Sequence, residues 1–249
     1  MKNIIFLSVL SLFIFTSCGG DDDNGPQDSD GDGYSVNDDC DDNNAQVNPD
    51  AKEVCGDGID NNCDGNVDEG CAIGDLIEGG VVFYIAPTPT DLDGDGTLDR
   101  GLVCALNDEP TLLSWGCSGT DLPSVPNVLI GNYVGPGAVI GDGMSNTNGI
   151  LNDCPDAPAA LACRSLGLDW FLPSINELKE LYINRVAINV AVVANGGSPQ
   201  SNLPSSYYWT STEANSGNSA FAHQFSDNGN VGSFVPILET HVRAVRAFN

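Results

Sequence analysis

The sequence has few basic residues and almost no histidine. It contains 8 Lys and Arg against 35 Asp and Glu among 249 residues, a formal net charge of −27 at pH 7. Such a chain does not bind nucleic acid or an anionic lipid surface without a bridging cation, because like charges repel. The only histidines, His223 and His241, lie in strand-like runs, and neither a G-x-S-x-G motif nor a metal-type histidine pair is present. We therefore expect a protein that is not an enzyme.

The sequence also has no apolar run long enough to cross a bilayer. The stretch from Ile4 to Phe15 is too short for that, and we interpret residues 1–17 as a signal peptide. Cys18 follows small residues and resembles the cysteine of a bacterial lipobox, which implies lipidation of Cys18 and an outer membrane lipid anchor at the cell surface; an unmodified thiol is the alternative. Residues 18–27 then form an acidic flexible tether, whose acids match either a surface-export signal or an ordinary linker.

Free thiols are expected to be few. Nine cysteines are present, and without Cys18 an even number remains, which in an exported protein indicates four disulfides. Catalytic or zinc thiolates would need histidine partners or paired C-x-x-C spacing, and neither occurs. The simplest pairs are Cys40–Cys55, Cys63–Cys71, Cys117–Cys154 and Cys104–Cys163. Four cysteines in a module allow three connectivities, so the pairing within each module stays open.

Residues 28–71 hold only a handful of apolar side chains, and Asp, Asn and Gly recur there at short intervals. Calcium takes six to eight oxygens, which a loop supplies from positions 1, 3 and 5, a carbonyl at 7, and an acid at 9 or 12. Three loops fit this spacing, and the middle one fits least well. Their predicted ligands are Asp28, Asp30, Asp32, Tyr34 and Asp39; then Asp39, Asp41, Asn43 and Asp50; then Asp60, Asn62, Asp64, Asn66 and Asp68. A solvated acidic linker is the alternative, but a linker does not require the glycine that recurs at position 6.

The segment DSDGDGYSVNDDCDDNNAQVNPDAKEVCGDGIDNNCDGNVDEGC, residues 28–71, resembles the MopE-type metal-binding motif of secreted bacterial proteins and, more loosely, thrombospondin type 3 repeats. The name of the family implies copper. Copper selects imidazole, thioether or thiolate ligands, whereas this segment has no His, Met or Trp. We therefore expect a neck stabilised by calcium and disulfides, and we consider copper unlikely as its ion.

Another loop lies between two strand-like runs at 80–86 and 101–106. It has acids at positions 1, 3, 5 and 9, glycine at 6 and a carbonyl at 7. The predicted ligands are Asp91, Asp93, Asp95, Thr97 and Asp99. The loop resembles the calcium hairpins of integrin-type propellers, in which the ion joins strand, loop and strand. Because four aspartates on one hairpin tip repel one another without a cation, we expect calcium here too, and three to four Ca²⁺ ions in the chain.

The remainder of residues 72–249 predicts an α+β domain with long loops. Residues 107–158 are rich in Gly, Pro, Asn and Ser and are expected to be irregular. One helix is expected over 157–166, and another after the capping box formed by Ser174 and Glu177. Strands are expected over 207–212, 220–225 and 241–248, with Glu213 in an ion pair with Arg243 or Arg246.

The runs GGVVFYI, LVCAL, SWGC, NTNGI, DWFLPSINELKELY, YYWTSTE and HVRAVRAF occur in the order seen in the C-terminal domain family of the Legionella collagen-like adhesin, also met as the Fibrobacter major paralogous domain. Residues 75–249 resemble this family, which implies a C-type-lectin-like head and surface adhesion. The Glu-Pro-Asn and Trp-Asn-Asp signatures of sugar-binding C-type lectins are missing. Residues 72–249 hold 18 acids and 6 basic residues, a net charge of −12, which does not suit the sulfated polysaccharides credited to relatives of the adhesin. We expect a protein or neutral glycan as ligand; the alternative is a structural or assembly component of a surface or matrix layer.

Overall fold

The computed structural model describes residues 27–215 and 218–249. The predicted signal peptide 1–17, the predicted lipidation at Cys18 and all of the tether except its last residue lie outside the described residues. Within the described ranges, no helix combines the length and the hydropathy that a membrane span requires.

Helices and strands both occur, as expected of an α+β protein, and all of them follow a segment of turns and bends at 27–75. In chain order they are β1 (Leu76–Ile77), β2 (Gly80–Thr90), β3 (Asp99–Ala105), β4 (Leu113–Ser114), β5 (Asn127–Val128), α1 (Gly143–Asp153), α2 (Pro158–Leu166), α3 (Ile175–Ile183), α4 (Arg185–Ala194), β6 (Tyr207–Ala214), β7 (Ala220–Gln224), β8 (Val231–Phe234), β9 (Glu239–Thr240) and β10 (Val245–Phe248). The strands form sheets in the orders β1-β2-β3-β10, β4-β9 and β5-β6-β7-β8.

The first sheet brings the two ends of the 72–249 segment together. β3 pairs antiparallel with β2 on one side and with β10 on the other, and Cys104 is opposite both Val81 and Val245. Gly101 is required in this sheet, because a Cβ there would collide with the carbonyl oxygen of Tyr84 and with the ring of Phe248. The last strand therefore closes against the strands that begin the segment.

Both predicted helices are present, and the capping box places the start of the second. Helix α2 begins at Pro158, and α3 begins directly after Ser174. The Glu177 backbone N–H donates to Ser174 Oγ at 3.3 Å, and the Ser174 backbone N–H donates to the Glu177 carboxylate at 2.8 Å. The apolar run that follows is divided at Asn184 into α3 and α4.

Helix α1 falls in the segment that we expected to be irregular. Its residues GMSNTNGILND include little that favours a helix in isolation. Two of its glycines permit close packing: a Cβ at Gly143 would collide with Glu177, and one at Gly149 would lie 2.5 Å from the carbonyl oxygen of Ser124. Tertiary contact, rather than local propensity, thus determines this helix.

Three disulfides are present among the described residues, and two differ from the expected pairs. Cys40 bonds to Cys63 with Cα atoms 5.7 Å apart, and Cys55 bonds to Cys71 at 5.4 Å. The predicted Cys40–Cys55 and Cys63–Cys71 bonds were wrong, because the chain folds back so that residue 48 meets residue 61 and the two bonds interleave. A third bond joins Cys117 to Cys154, the expected pair, at a Cα distance of 6.1 Å.

The predicted bond between Cys104 and Cys163 is not formed. Both thiols are buried and free. Cys104 on β3 packs in one core cluster with Phe83 and Phe171, whereas Cys163 on α2 packs in the other with Trp115. The two cysteines serve as apolar side chains on different sides of the first sheet.

The second half of the neck is in contact with the head. The Cys55–Cys71 disulfide packs against the core cluster that contains Ile77. A Cβ at Gly56 would lie only 2.5 Å from the Ile77 side chain. Residues 55–71 are therefore held by the head, whereas residues 28–54 precede this contact in the sequence.

The ion pair expected for Glu213 is also absent. Arg243 is bonded to Asp108 at 2.5 Å, and Arg246 is bonded to Asp169 at 2.9 Å. Glu213 is buried and accepts hydrogen bonds from a backbone amide. Burial raises the pKa of Glu213 to about 7.

Candidate metal centre

The hairpin loop between β2 and β3 wraps its backbone around its first aspartate. One Asp91 carboxylate oxygen accepts the Gly94 N–H at 2.6 Å, and the other accepts the Gly96 N–H at 3.2 Å. Both glycines have positive φ, 80° and 92°, which only glycine adopts at low cost. Carboxylate oxygens of Asp91, Asp93 and Asp99 lie within 4.8 Å of one another. The predicted hairpin ligands at positions 1, 3 and 9 are thus brought together.

The loop that starts at Asp28 has the same geometry. Asp28 accepts the Gly31 N–H at 2.7 Å and the Gly33 N–H at 3.1 Å, and the Tyr34 N–H donates to Asp32 at 2.8 Å. The two glycines again have positive φ, 82° and 103°. Carboxylate oxygens of Asp28, Asp30 and Asp32 lie within 4.8 Å of one another. Two segments far apart in sequence therefore form one type of loop.

The loop at 60–66 is similar, but its first hydrogen bond comes from position 5 and not from position 4. Asp60 accepts the N–H groups of Asp64 at 3.1 Å and Gly65 at 2.8 Å, and the Asn66 N–H donates to Asp64 at 2.9 Å. Position 4, which is glycine in the other two loops, is here Cys63, with φ 58°. The Cys40–Cys63 disulfide therefore holds a non-glycine residue in a conformation that the loop requires.

The middle loop, predicted at Asp39 to Asp50, does not form this geometry. A hydrogen bond between the Tyr34 side chain and Asp50 raises the pKa of this tyrosine. Asp41 donates its N–H to Asp39 at 2.9 Å, and its carbonyl accepts the Asn43 N–H at 2.6 Å. Positions 4 and 6 of this loop are Asp42 and Asn44, so it has neither of the glycines that the loops at 28–34 and 91–97 use to wrap the first carboxylate.

Two buried carboxylate oxygens near the first loop lack a partner. They belong to Asp30 and Asp39, and neither oxygen has a hydrogen-bond donor in the described part of the chain. Burial raises the pKa of Asp30, and the carboxylates of Asp32, Asp39 and Asp28 raise it further. Buried anionic oxygens without donors are the groups that a cation satisfies. Asp39, predicted at position 12, therefore lies electrostatically close to the loop it was expected to close.

In the hairpin, burial raises the pKa of one aspartate, and hydrogen bonding lowers the pKa of another. Burial raises the pKa of Asp99 to about 6, and the neighbouring Asp93, Asp95 and Asp91 carboxylates add to the effect. The hydroxyl and backbone N–H of Thr97 lower the pKa of Asp95. The hairpin thus concentrates negative charge that only partial hydrogen bonding offsets.

The structure changes the role of Asp68, which was expected to close the third loop. Its buried carboxylate instead accepts the backbone N–H groups of Gly56, Asp57 and Gly58 at 2.9–3.3 Å. Asp68 therefore holds the turn that contacts the head.

Three further residues support the neck loops and were missed from the sequence. The side-chain amide of Asn62 donates to Glu69 at 2.7 Å, and the second Glu69 oxygen is buried without a partner. Glu53 accepts the Asn62 N–H at 2.9 Å. The Asn48 amide donates to Asp32 at 2.8 Å. None of these residues occupies a ligand position of the loop pattern, so spacing carries no signal for them.

The donor groups of the neck fit a hard cation better than copper. In residues 28–71 the candidate ligands are carboxylate, amide and carbonyl oxygens, and all four cysteines are disulfide-bonded. Oxygen donors suit calcium, whereas copper selects nitrogen and sulfur.

Comparison with known proteins agrees with metal binding in the neck. The family model Cu-binding MopE, with the description "Putative metal-binding motif", matches residues 39–69. Residues 39–69 carry a MopE metal-binding motif. The loops at 28–34 and 91–97 lie outside the matched residues, although their geometry repeats that of 60–66. No curated protein matches the chain.

The two histidines occupy different environments. His223 is buried beside the rings of Tyr182 and Phe225, and burial lowers its pKa to about 4. His241 stacks on Tyr208 with ring centroids 4.9 Å apart and is partly exposed. His223 is therefore a neutral core residue near pH 7, and His241 lines a cleft of the head.

Proposed function

We propose that the protein is a non-enzymatic surface lipoprotein whose neck binds Ca²⁺ and whose head binds an extracellular protein or a neutral glycan. The observation that carries the calcium assignment is the repeated loop geometry at 28–34, 60–66 and 91–97. Each of these loops folds its backbone N–H groups onto a first aspartate and leaves further oxygens free for a cation. Calcium accepts six to eight such oxygens in flexible geometry.

Charge supports the same proposal. Three Ca²⁺ ions occupy the three loops. Since three Ca²⁺ ions add six positive charges, they would reduce the formal net charge from −27 to −21 and lower the self-repulsion of the chain. Isothermal titration calorimetry in chelator-treated protein tests this assignment. We expect binding of Ca²⁺ at about 10⁻⁴–10⁻³ M. Tighter binding of Cu²⁺ to the same loops would contradict it.

The adhesive role belongs to the head, for which we propose a C-type-lectin-like fold. Its support is the sheet in which β10 closes against β3 and β2, together with the long loops between β3 and β6. A glycan and extracellular-matrix protein array, probed in Ca²⁺ and in chelator, tests this role. We expect binding to a protein or a neutral glycan. Retention only of sulfated polysaccharides would contradict the ligand class.

We further propose that Cys18 carries the lipid anchor in the outer membrane. The short apolar run before it and the acidic segment after it are the supporting sequence features. Cys18→Ala should leave a precursor or a freely soluble product in cell fractionation. A variant that still fractionates with the outer membrane would place the anchor elsewhere.

A structural role in a surface or matrix layer is the second candidate, and one surface favours it. Four exposed apolar residues follow one another at helical spacing, Ile183 at the end of α3 and Val186, Val190 and Val193 on α4. Exposed apolar stripes of this kind commonly mark protein contacts. Size-exclusion chromatography of the calcium-loaded protein distinguishes the roles: self-assembly at micromolar concentration favours the structural role, and a monomer favours the adhesin.

A further inference from the structure

A cleft of about 590 Å³ opens on the head between the segments 108–112, 203–207 and 239–241. These segments are far apart in sequence, and the short sheet β4-β9 lies beside them. None of the calcium loops contributes to the cleft. It therefore offers a site independent of the metal sites.

The floor of the cleft is a buried ion pair with its hydrogen bonds satisfied. Arg243 Nε donates to Asp108 Oδ1 at 2.5 Å, and the Tyr208 hydroxyl donates to Asp108 Oδ2 at 2.6 Å. The remaining guanidinium nitrogens of Arg243 donate to the carbonyl oxygens of Ala105 and Ser198 at 2.7 and 2.9 Å. Because its side chain is fully buried, Arg243 neutralises Asp108 and is not available to a ligand.

Two further acids line the cleft without an opposite charge of their own. Glu109 and Glu239 make no ion pair among the described residues. Burial raises the pKa of Glu109, and the Asp108 carboxylate adds to this effect. His241 is the only other basic side chain at the cleft and lies 3.9 Å from Asp108. Since Arg243 neutralises Asp108, two acids remain in the lining against this one histidine, and the cleft therefore carries excess negative charge.

One part of the cleft wall is apolar. Leu112 and Leu203 are 48% and 61% exposed, and the half-buried ring of Tyr207 lies between polar residues of the same lining. Apolar walls leading to carboxylates match an elongated aliphatic stem that ends in a cation. A neutral glycan has hydroxyl groups instead and would leave the acids without a counter-charge.

From this arrangement we infer that the cleft binds a lysine or arginine side chain of an extracellular partner protein. The stem lies along Leu112, Leu203 and Tyr207, and the charged end interacts with Glu109 and Glu239. The inference rests on the proposed role of the head in binding extracellular ligands, and it selects a protein over a glycan. Charge complementarity determines the choice of ligand.

The test uses calcium-loaded protein with Nα-acetyl-lysine methylamide as the probe and amide chemical-shift changes as the readout. The uncharged Nα-acetyl-norleucine methylamide is the matched probe. We expect shifts concentrated at 108–112, 203–207 and 239–241 with the lysine probe. The double variant Glu109→Gln/Glu239→Gln should weaken binding about three- to tenfold, as expected for two partly exposed ion pairs.

Because the whole chain is acidic, a variant with the same charge change is required as a control. Asp38→Asn/Glu180→Gln removes two acids outside the cleft and should leave the affinity within about twofold. Equal weakening by both double variants, equal binding of the norleucine probe, or shifts confined to the neck would overturn the inference. If the array detects a neutral glycan while the lysine probe fails, the cleft assignment falls and the adhesive role stands. If the lysine probe binds but the array detects nothing, the cleft assignment stands and the adhesive role falls.

Discussion

Replacing Asp39 by Asn should change the stability of the neck in opposite directions with and without calcium. Asp39 is only 7% exposed, and one of its carboxylate oxygens has no hydrogen-bond partner. An unsatisfied buried polar group costs about 1–3 kcal/mol, and a charged one costs more. In chelator, Asp39→Asn removes this buried charge while its remaining oxygen can still accept the Asp41 N–H. We therefore expect the neck to gain about 1 kcal/mol of stability.

With calcium the sign should reverse. A ligand that binds only the folded state stabilises it by RT ln(1 + [L]/Kd). For a site with Kd of about 10⁻⁴–10⁻³ M at about 20 mM Ca²⁺, this amounts to about 1.8–3.1 kcal/mol, more than the gain of about 1 kcal/mol expected in chelator. Asp39→Asn should lose most of that contribution for the first loop. The neighbouring variant Asp38→Asn, which changes an exposed carboxylate by the same charge, should alter stability little in either buffer.

Limited proteolysis of the disulfide-intact protein measures the effect. Cleavage in chelator should begin within residues 28–54 and spare 55–71, because the Cys55–Cys71 disulfide packs against the head. In chelator, cleavage should be slower in Asp39→Asn than in the native sequence. With calcium added to both, it should be faster in Asp39→Asn than in the native sequence. An equal loss of protection in both buffers would refute a cation-binding role for Asp39, and identical behaviour of Asp38→Asn would attribute the effect to net charge.

Three other perturbations test the head and the cross-links. Glu213→Gln should stabilise the protein by about 1–2 kcal/mol at pH 8 and leave it nearly unchanged at pH 4. In the folded protein the pKa of Glu213 is about 7, above its usual 4.5. The protonated carboxyl therefore contributes its full stabilisation below pH 4.5, and this stabilisation is lost as the pH rises through 7. Urea unfolding at both pH values measures it, and a gain that does not depend on pH would contradict the argument. Cys40→Ser should lower neck stability by about 3 kcal/mol, because the bond to Cys63 spans 23 residues; unchanged proteolysis in chelator would contradict this. Thiol titration should detect Cys104 and Cys163 only after unfolding, since both are buried, and reaction in the native protein would show that the core opens.

The loop geometry could be predicted because it is local. At 28–34 and 91–97, each hydrogen bond to the first carboxylate spans only three or five residues. The capping box of α3 is local in the same sense, and its spacing alone placed the start of that helix. Sequence spacing therefore predicts contacts that form within one or two turns of chain.

Contacts between distant segments could not be predicted in this way. Whether Asp68 faces its own loop or the turn at 56–58 depends on how the chain folds back, and so does the choice between Cys55 and Cys63 as the partner of Cys40. Helix α1 gave no periodic signal, because its buried positions include glycines and an asparagine that fit against other segments. These features depend on tertiary packing, which composition and periodicity do not encode.

The interleaved disulfides limit how far the neck can lengthen under tension. When the chain is pulled from its N-terminal end, force that reaches Cys40 crosses directly to Cys63 and continues to Cys71, so the segment between Cys40 and Cys63 is bypassed. The covalent path from residue 28 to the head then contains about 20 residues instead of about 43, or about 70 Å instead of about 145 Å when fully extended. The neck would thus have a fixed maximum extension. Only its first dozen residues and the last few before the head could extend under force.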